Sequence, residues 1–180
     1  ANVFRSSPRG GSESVRLMYL LSIASARRSI IIGNAYFVPD TLLMDSLVSA
    51  CRRGVKVRIL VPGVYIDSAL VRRASRSRWG ELLEAGASIH EFQPTMYHNK
   101  LLIVDGVWTS VGSTNFDNRS FRLNDEVNMN ILDAAFAAQE TAAFDADLQR
   151  SRPITLNAWK NRPWTERLGE NIAGLLRSQL

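Results

Sequence analysis

The alternation of apolar and polar positions divides the chain into helical and extended segments. Leu17, Leu20, Leu21 and Ala24 recur at helical spacing, with the basic pair Arg27 and Arg28 where a last turn would fall, and they predict a first helix. Residues 29–38 form a short, isoleucine-rich run with the composition of a buried strand. Pro39 ends it, and Asp40 supplies an N-cap for a helix over 41–53 that closes at Gly54. Val55, Val57, Ile59 and Val61 alternate with Lys56, Arg58 and Leu60 as a second strand, stopped by Pro62 and Gly63. A helical pattern over 68–85, closed by Gly86, leads into a strand over 88–92.

The texture then changes. Three extended segments follow, over 97–104, 107–111 and 126–132, with Asp105 and Gly106 as a hairpin turn between the first two, and an alanine-rich helix covers 134–149. Alternating βα units succeeded by a meander, with helices left for both faces, predict a three-layer α/β/α sandwich around a mixed β-sheet. Residues 1–14, polar and carrying Pro8, Gly10 and Gly11, read as a linker from an upstream region, and 15–150 as the domain itself. Residues 151–180 read as a basic and aromatic linker followed by an amphipathic helix on which Trp164, Leu168, Ile172, Leu175 and Leu176 share a face. Docking onto its own domain is the ordinary fate of such a helix; a membrane surface is the sharper alternative.

Composition narrows the partners. The 180 residues, 46% hydrophobic and 22% charged, describe one ordinary globular domain and exclude disordered and fibrous classes. Lys and Arg outnumber Asp and Glu by 22 to 17, and the formal charge of +5 favours anionic partners, either phospholipid head groups or nucleic acid. Cys51 is the only cysteine, which rules out an intrachain disulfide, and with only two histidines no metal ion and no cofactor is expected. No run reaches the roughly 18 to 20 apolar residues of a membrane-spanning helix.

The candidate chemistry lies in the meander. His98 and Lys100, two apart on an expected strand, leave the same face, and Ser113 and Asn115 repeat that spacing behind Gly112, whose missing side chain offers a ligand close approach. Glu126, Asn128 and Asn130 share one face of the third strand, and Asn128 is a candidate substrate contact. This set suits phosphoryl transfer by a neutral imidazole: a carboxylate such as Glu126 holds the tautomer, Lys100 supplies positive charge, and Ser113 and Asn115 supply donors for the non-bridging oxygens. Asp105 is out of phase with His98 and suits a turn, so it reads as structural. Tyr36 and Phe37 end a strand where ligands often sit in α/β sheets and are candidates for an acyl entrance, although core packing explains them equally well. His90, without partners of this kind, reads as an ordinary core or surface residue, and Arg72, Arg73, Arg76 and Arg78 as a solvated basic face.

Residues 98–115, HNKLLIVDGVWTSVGSTN, match the phospholipase D signature of His, any residue, Lys, four residues, Asp, six residues, then Gly-Ser and Asn. The stretches NAYFVPD at 34–40, CRRGVKVR at 51–58, LLEAGASIHEF at 82–92 and DNRSFRLNDEVN at 117–128 resemble the C-terminal half of bacterial cardiolipin synthases. The resemblance implies phosphatidyl transfer between two phosphatidylglycerol molecules through a phosphohistidine, at a membrane surface, with Glu126 pairing the histidine. It also implies a second copy of the motif, which these residues lack. That copy comes from an upstream half, which would make His98 the general acid, or from a second chain in a homodimer. Three functions remain open: a catalytic half of a phosphatidyltransferase, a homodimeric nuclease, and a non-catalytic binding module for anionic phosphate.

Overall fold

The structure, a computed structural model, describes residues 1–7 and 14–176. In chain order the elements are β1 (Asn2–Ser6), α1 (Ser14–Ser25), β2 (Ser29–Asn34), α2 (Thr41–Arg52), β3 (Lys56–Pro62), α3 (Ala69–Arg76), α4 (Trp79–Glu84), β4 (Ser88–Phe92), β5 (Lys100–Val104), β6 (Trp108–Gly112), α5 (Asn118–Arg122), β7 (Glu126–Leu132), α6 (Ala134–Leu148), β8 (Ser151–Ile154), α7 (Leu156–Lys160) and α8 (Trp164–Leu175). The strands form one mixed sheet in the order β1-β7-β6-β5-β2-β3-β4-β8. Neighbours β2, β3 and β4 run parallel, as βα units require, and the remaining pairings are antiparallel.

Strand alternation sorts the side chains into two cores. Ile30, Ile32, Val57, Ile59 and Leu102 face α1, α2 and α4, where Tyr19, Leu43, Leu47 and Trp79 are buried. Ile31, Leu60, Leu101 and Ile103 face the opposite way, onto Ala137 and Phe144 of α6. The expected three-layer α/β/α sandwich is therefore what forms. Cys51 is half-buried against the first core, a small apolar residue as expected.

Both ends of the chain differ from the expected linkers. Asn2–Ser6 pairs antiparallel with β7, and Ser151–Ile154 pairs antiparallel with β4, so each end supplies an edge strand to the sheet. Edge strands need only one partner, and Pro153, which has no N–H to donate, is tolerated there. Pro8, Gly10 and Gly11 lie outside the described residues. The helix expected over 68–85 is two helices, because the Ser77 hydroxyl donates to the Ala74 carbonyl at 2.7 Å and competes with the helical ladder. The strand expected over 29–38 stops at Asn34, whose side-chain carbonyl accepts the Tyr36 N–H at 3.1 Å and turns the chain.

Candidate active site

Four strand ends meet at one edge of the sheet. The register sets Asn34, the last residue of β2, against Lys100, the first of β5, and sets Gly112, the last of β6, against Asn128 near the start of β7. His98 lies two residues ahead of β5 rather than inside a strand, and it is exposed. Its neighbour Asn99 holds this lead-in: the Asn99 carbonyl accepts the Ala35 N–H at 2.8 Å, and its side-chain carbonyl accepts the Lys100 N–H at 2.9 Å. His98 and Lys100 are thus delivered to the site by the entry into β5, Ser113 and Asn115 by the exit from β6, and Glu126 by the entry into β7.

Lys100 is half-buried, and among the described residues it forms no ion pair. Burial pushes its ammonium below the usual lysine range, against the favourable fields of Glu126, Asp117 and Asp67. Ser113 donates its hydroxyl to Glu126 and accepts the Val127 N–H at 3.0 Å. Asn124 donates to the second oxygen of Glu126 at 3.2 Å. Glu126 is therefore committed to Ser113 and Asn124, and the expected pairing with His98 is not made here, since His98 stands out in solvent. The side-chain carbonyl of Asn115 is enclosed and has no partner among the described residues. A cationic side chain, two hydroxyl or amide groups and an exposed imidazole at one edge can receive an anionic phosphodiester. No group of three or more His, Cys, Asp or Glu among the described residues could hold a metal ion.

Several expected roles change with the geometry. A Cβ on Gly112 would lie 2.2 Å from the Val127 carbonyl oxygen and 2.7 Å from the Asn128 Cα, so the glycine admits β7, not a ligand. Asn128, expected to meet substrate, is fully buried. Its carbonyl accepts from Thr114, and its amide donates to Tyr19 at 2.8 Å and to Ser110 at 3.0 Å, which makes it a cross-link between β7, β6 and α1. Phe37 is buried in the core against Phe116, their ring centroids 5.7 Å apart, and does not line an entrance. Tyr36 remains at the surface of the site; its hydroxyl donates to Asp67 at 2.6 Å, and burial and that carboxylate push it up to about 12.

Asp105 sits at the far end of β5 from Lys100, at a φ of 54°. Its carboxylate accepts the N–H groups of Arg27 at 3.0 Å, Arg28 at 2.7 Å and Ser29 at 3.0 Å, tying the end of α1 to β2. Burial raises its pKa, but those backbone donors outweigh it and hold the carboxyl below its usual range.

Two residues at the site escaped the sequence reading. Asn34 accepts the backbone N–H groups of Tyr36 and Phe116, the latter at 3.2 Å, and so clamps the exits of β2 and β6 together. Asp117 is buried, caps α5 through the Ser120 N–H at 2.7 Å, and is pushed up chiefly by burial. Both stood inside the stretches 34–40 and 117–128 that carry the family resemblance, but Asn34 fell within the strand expected over 29–38 and Asp117 was given no role of its own.

Comparison with known proteins agrees with this architecture. The family described as cardiolipin synthase, PLD-like domain, matches residues 19–148, and the chain belongs to it. The major cardiolipin synthase ClsA of Bacillus subtilis is 38% identical over 97% of the chain, which spans only 36% of that protein. Among solved structures, the phospholipase D family member Nuc of Salmonella typhimurium has a TM-score of 0.71 and 25% identity, covering 86% of this chain and 98% of its own. A phosphatidylserine synthase from Haemophilus influenzae has a TM-score of 0.80 and 14% identity, covering 99% of this chain and 47% of its own, and shares the fold.

Proposed function

We propose that the chain supplies one of two half-sites of a phosphatidyltransferase that makes cardiolipin and glycerol from two molecules of phosphatidylglycerol. The observation that carries the reading is Lys100: a half-buried ammonium without an ion-pair partner among the described residues, at the strand end where the exposed His98 stands. It is an anion site that a phosphate-bearing ligand would complete.

The second histidine comes from a companion half-site and attacks phosphorus as the neutral ring. An N–P bond forms, the P–O bond to glycerol breaks, and His98 as imidazolium gives its proton to the departing alkoxide. His98, now neutral, takes the proton from the hydroxyl of the second phosphatidylglycerol, whose oxygen displaces the ring nitrogen and forms the new P–O bond. Lys100, Ser113 and the amide of Asn115 hold the non-bridging oxygens while their charge redistributes. Glu126 positions Ser113 in the open site and turns to a histidine when the companion half closes over it. The match to Nuc over 98% of its own length favours a second version, in which a copy of the same chain provides the companion.

The test is product analysis with phosphatidylglycerol vesicles and, in parallel, single-stranded DNA. Cardiolipin and glycerol released in equal amounts are expected. Cleavage of DNA without any lipid product overturns the reading in favour of the nuclease. Lipid binding without turnover, even with a companion half-site supplied, reduces the chain to a binding module.

A further inference from the structure

Helix α8 is docked the wrong way round for an ordinary amphipathic helix. Trp164, Leu168, Ile172 and Leu175, at spacings of four, four and three, form one apolar stripe, and their exposures are 72%, 52%, 55% and 82%. The opposite face, with Glu170, Ala173 and Gly174, is the buried one and lies on α3. Ion pairs and small residues explain the choice. Glu170 accepts Arg76 at 2.7 Å and Arg162 at 2.6 Å, and a Cβ on Gly174 would already press the Ser77 hydroxyl at 3.1 Å. Holding this acidic, small-residue face inward leaves the large apolar side chains outward.

The ground around the stripe is cationic. A groove of about 550 Å³ beside the first turn of α8 is lined by Arg72, Arg76, Arg152 and Arg162 together with Val64 and Trp159. Those four arginines outnumber Glu91, Glu166 and Glu170, the carboxylates they pair with, and the Arg152 side chain is still 57% exposed. Arg73 and Arg167 are exposed as well. The helix also borders the site: Ala173 packs with Val38, Val71 and Ala74, with Tyr36 at the fringe, just beyond the end of β2.

We infer that the outward face of α8 is a docking surface for an anionic phospholipid bilayer. The helix lies in the interface plane, its Trp164, Leu168, Ile172 and Leu175 side chains sunk to the acyl boundary and Arg73, Arg152 and Arg167 on the lipid phosphates. Its 12 residues are too few to span, and no described helix is long and apolar enough to cross a membrane. This deepens the phospholipid reading above and rests on it for the choice of a lipid surface over a protein partner.

The experiment is co-sedimentation of the full chain with vesicles of phosphatidylcholine alone and of equal parts phosphatidylcholine and phosphatidylglycerol. The double variant Leu168→Asp, Ile172→Asp is run beside it. Both positions are exposed, so the variant should melt as the parent does. Binding to the anionic vesicles is expected to fall by about tenfold or more in the variant, in phosphatidylcholine alone, and in high salt. Equal binding of parent and variant, or none by the parent, overturns the inference. So does a parent dimer that the double substitution dissociates in sedimentation velocity, because the stripe would then be a protein interface. Binding is read without turnover. Stripe-dependent binding by a protein that makes no cardiolipin would keep this inference while the proposed function fell, and turnover without stripe-dependent binding would do the reverse.

Discussion

The molecule treats its charges in two opposite ways. On β4, Glu91 is fully buried and receives Arg72 at 2.5 Å, Arg76 at 3.0 Å and Arg152 at 2.5 Å, while Glu170 answers Arg76 and Arg162. Burial alone would raise the Glu91 carboxyl, yet the Arg152, Arg72 and Arg76 guanidinium groups outweigh it and hold it below the usual range. At the start of β5, Lys100 is half-buried with no such answer among the described residues, and burial pushes it down. A fully partnered buried network binds elements together; an unpartnered buried cation costs stability, and folds tolerate that cost where a ligand is to be met.

The sharpest way to break this contrast is at His98. His98→Ala in the complete enzyme is expected to lower the rate on phosphatidylglycerol by about 10³-fold with an unchanged melting temperature, since the side chain is exposed. If His98 is the acid, a nitrophenyl phosphodiester, whose leaving group needs no proton, should lose far less than the natural substrate. Equal loss on both would make His98 the nucleophile.

The Glu91 network should respond in the opposite way. Glu91→Gln leaves three arginines around a neutral amide, which should cost about 3 to 5 kcal/mol, or roughly 10 °C in melting temperature. The rate per folded molecule should stay within about twofold. A stable Glu91→Gln protein with lost turnover would erase the distinction between the two regions.

The sequence showed one of these regions and hid the other. The fixed spacing from His98 to Asn115 and the isoleucine and valine alternation of β2 and β3 are local patterns, so the sandwich and the site edge could be read from them. The network could not: Arg72, Arg76, Glu91, Arg152 and Glu170 come from four elements, and nothing local told Arg72 and Arg76 from the solvated basic face expected of them. The same limit hid β1 and β8, whose pairing is with distant strands. It also gave Gly112 and Asn128 a ligand where they have each other's strand, because which side of a strand is enclosed depends on what packs over it.

A smaller effect separates cost from use within the site. Lys100→Met removes the positive charge but keeps the length of the stem, so the rate should fall by about 10²-fold. Because the half-buried ammonium has no ion-pair partner to lose among the described residues, the melting temperature should hold or rise. Calorimetry and turnover on one preparation check both. A fall in stability comparable to that of Glu91→Gln would mean that Lys100 is a structural cation after all.

The smallest expected effect tests whether the signature itself divides along this line, since Asp105 belongs to the motif yet stands at the opposite end of β5 from Lys100. Asp105→Asn keeps a residue that tolerates the positive φ but replaces a carboxylate that gathers the N–H groups of Arg27, Arg28 and Ser29. Losing the charge in these bonds should cost about 1 to 2 kcal/mol, with the catalytic rate of the folded enzyme nearly unchanged. The pH dependence gives the signature of the cause. The folded pKa lies below the ordinary value of 3.8, so the unfolded chain binds the proton more readily, and the stabilisation is complete above that ordinary value. It is lost as pH falls through the folded pKa, so the parent and Asp105→Asn should differ at neutral pH and converge in acid. A difference that persists unchanged into acid would place the effect in side-chain shape rather than in the carboxylate. An inactive Asp105→Asn protein that melts like the parent would move Asp105 into the chemistry.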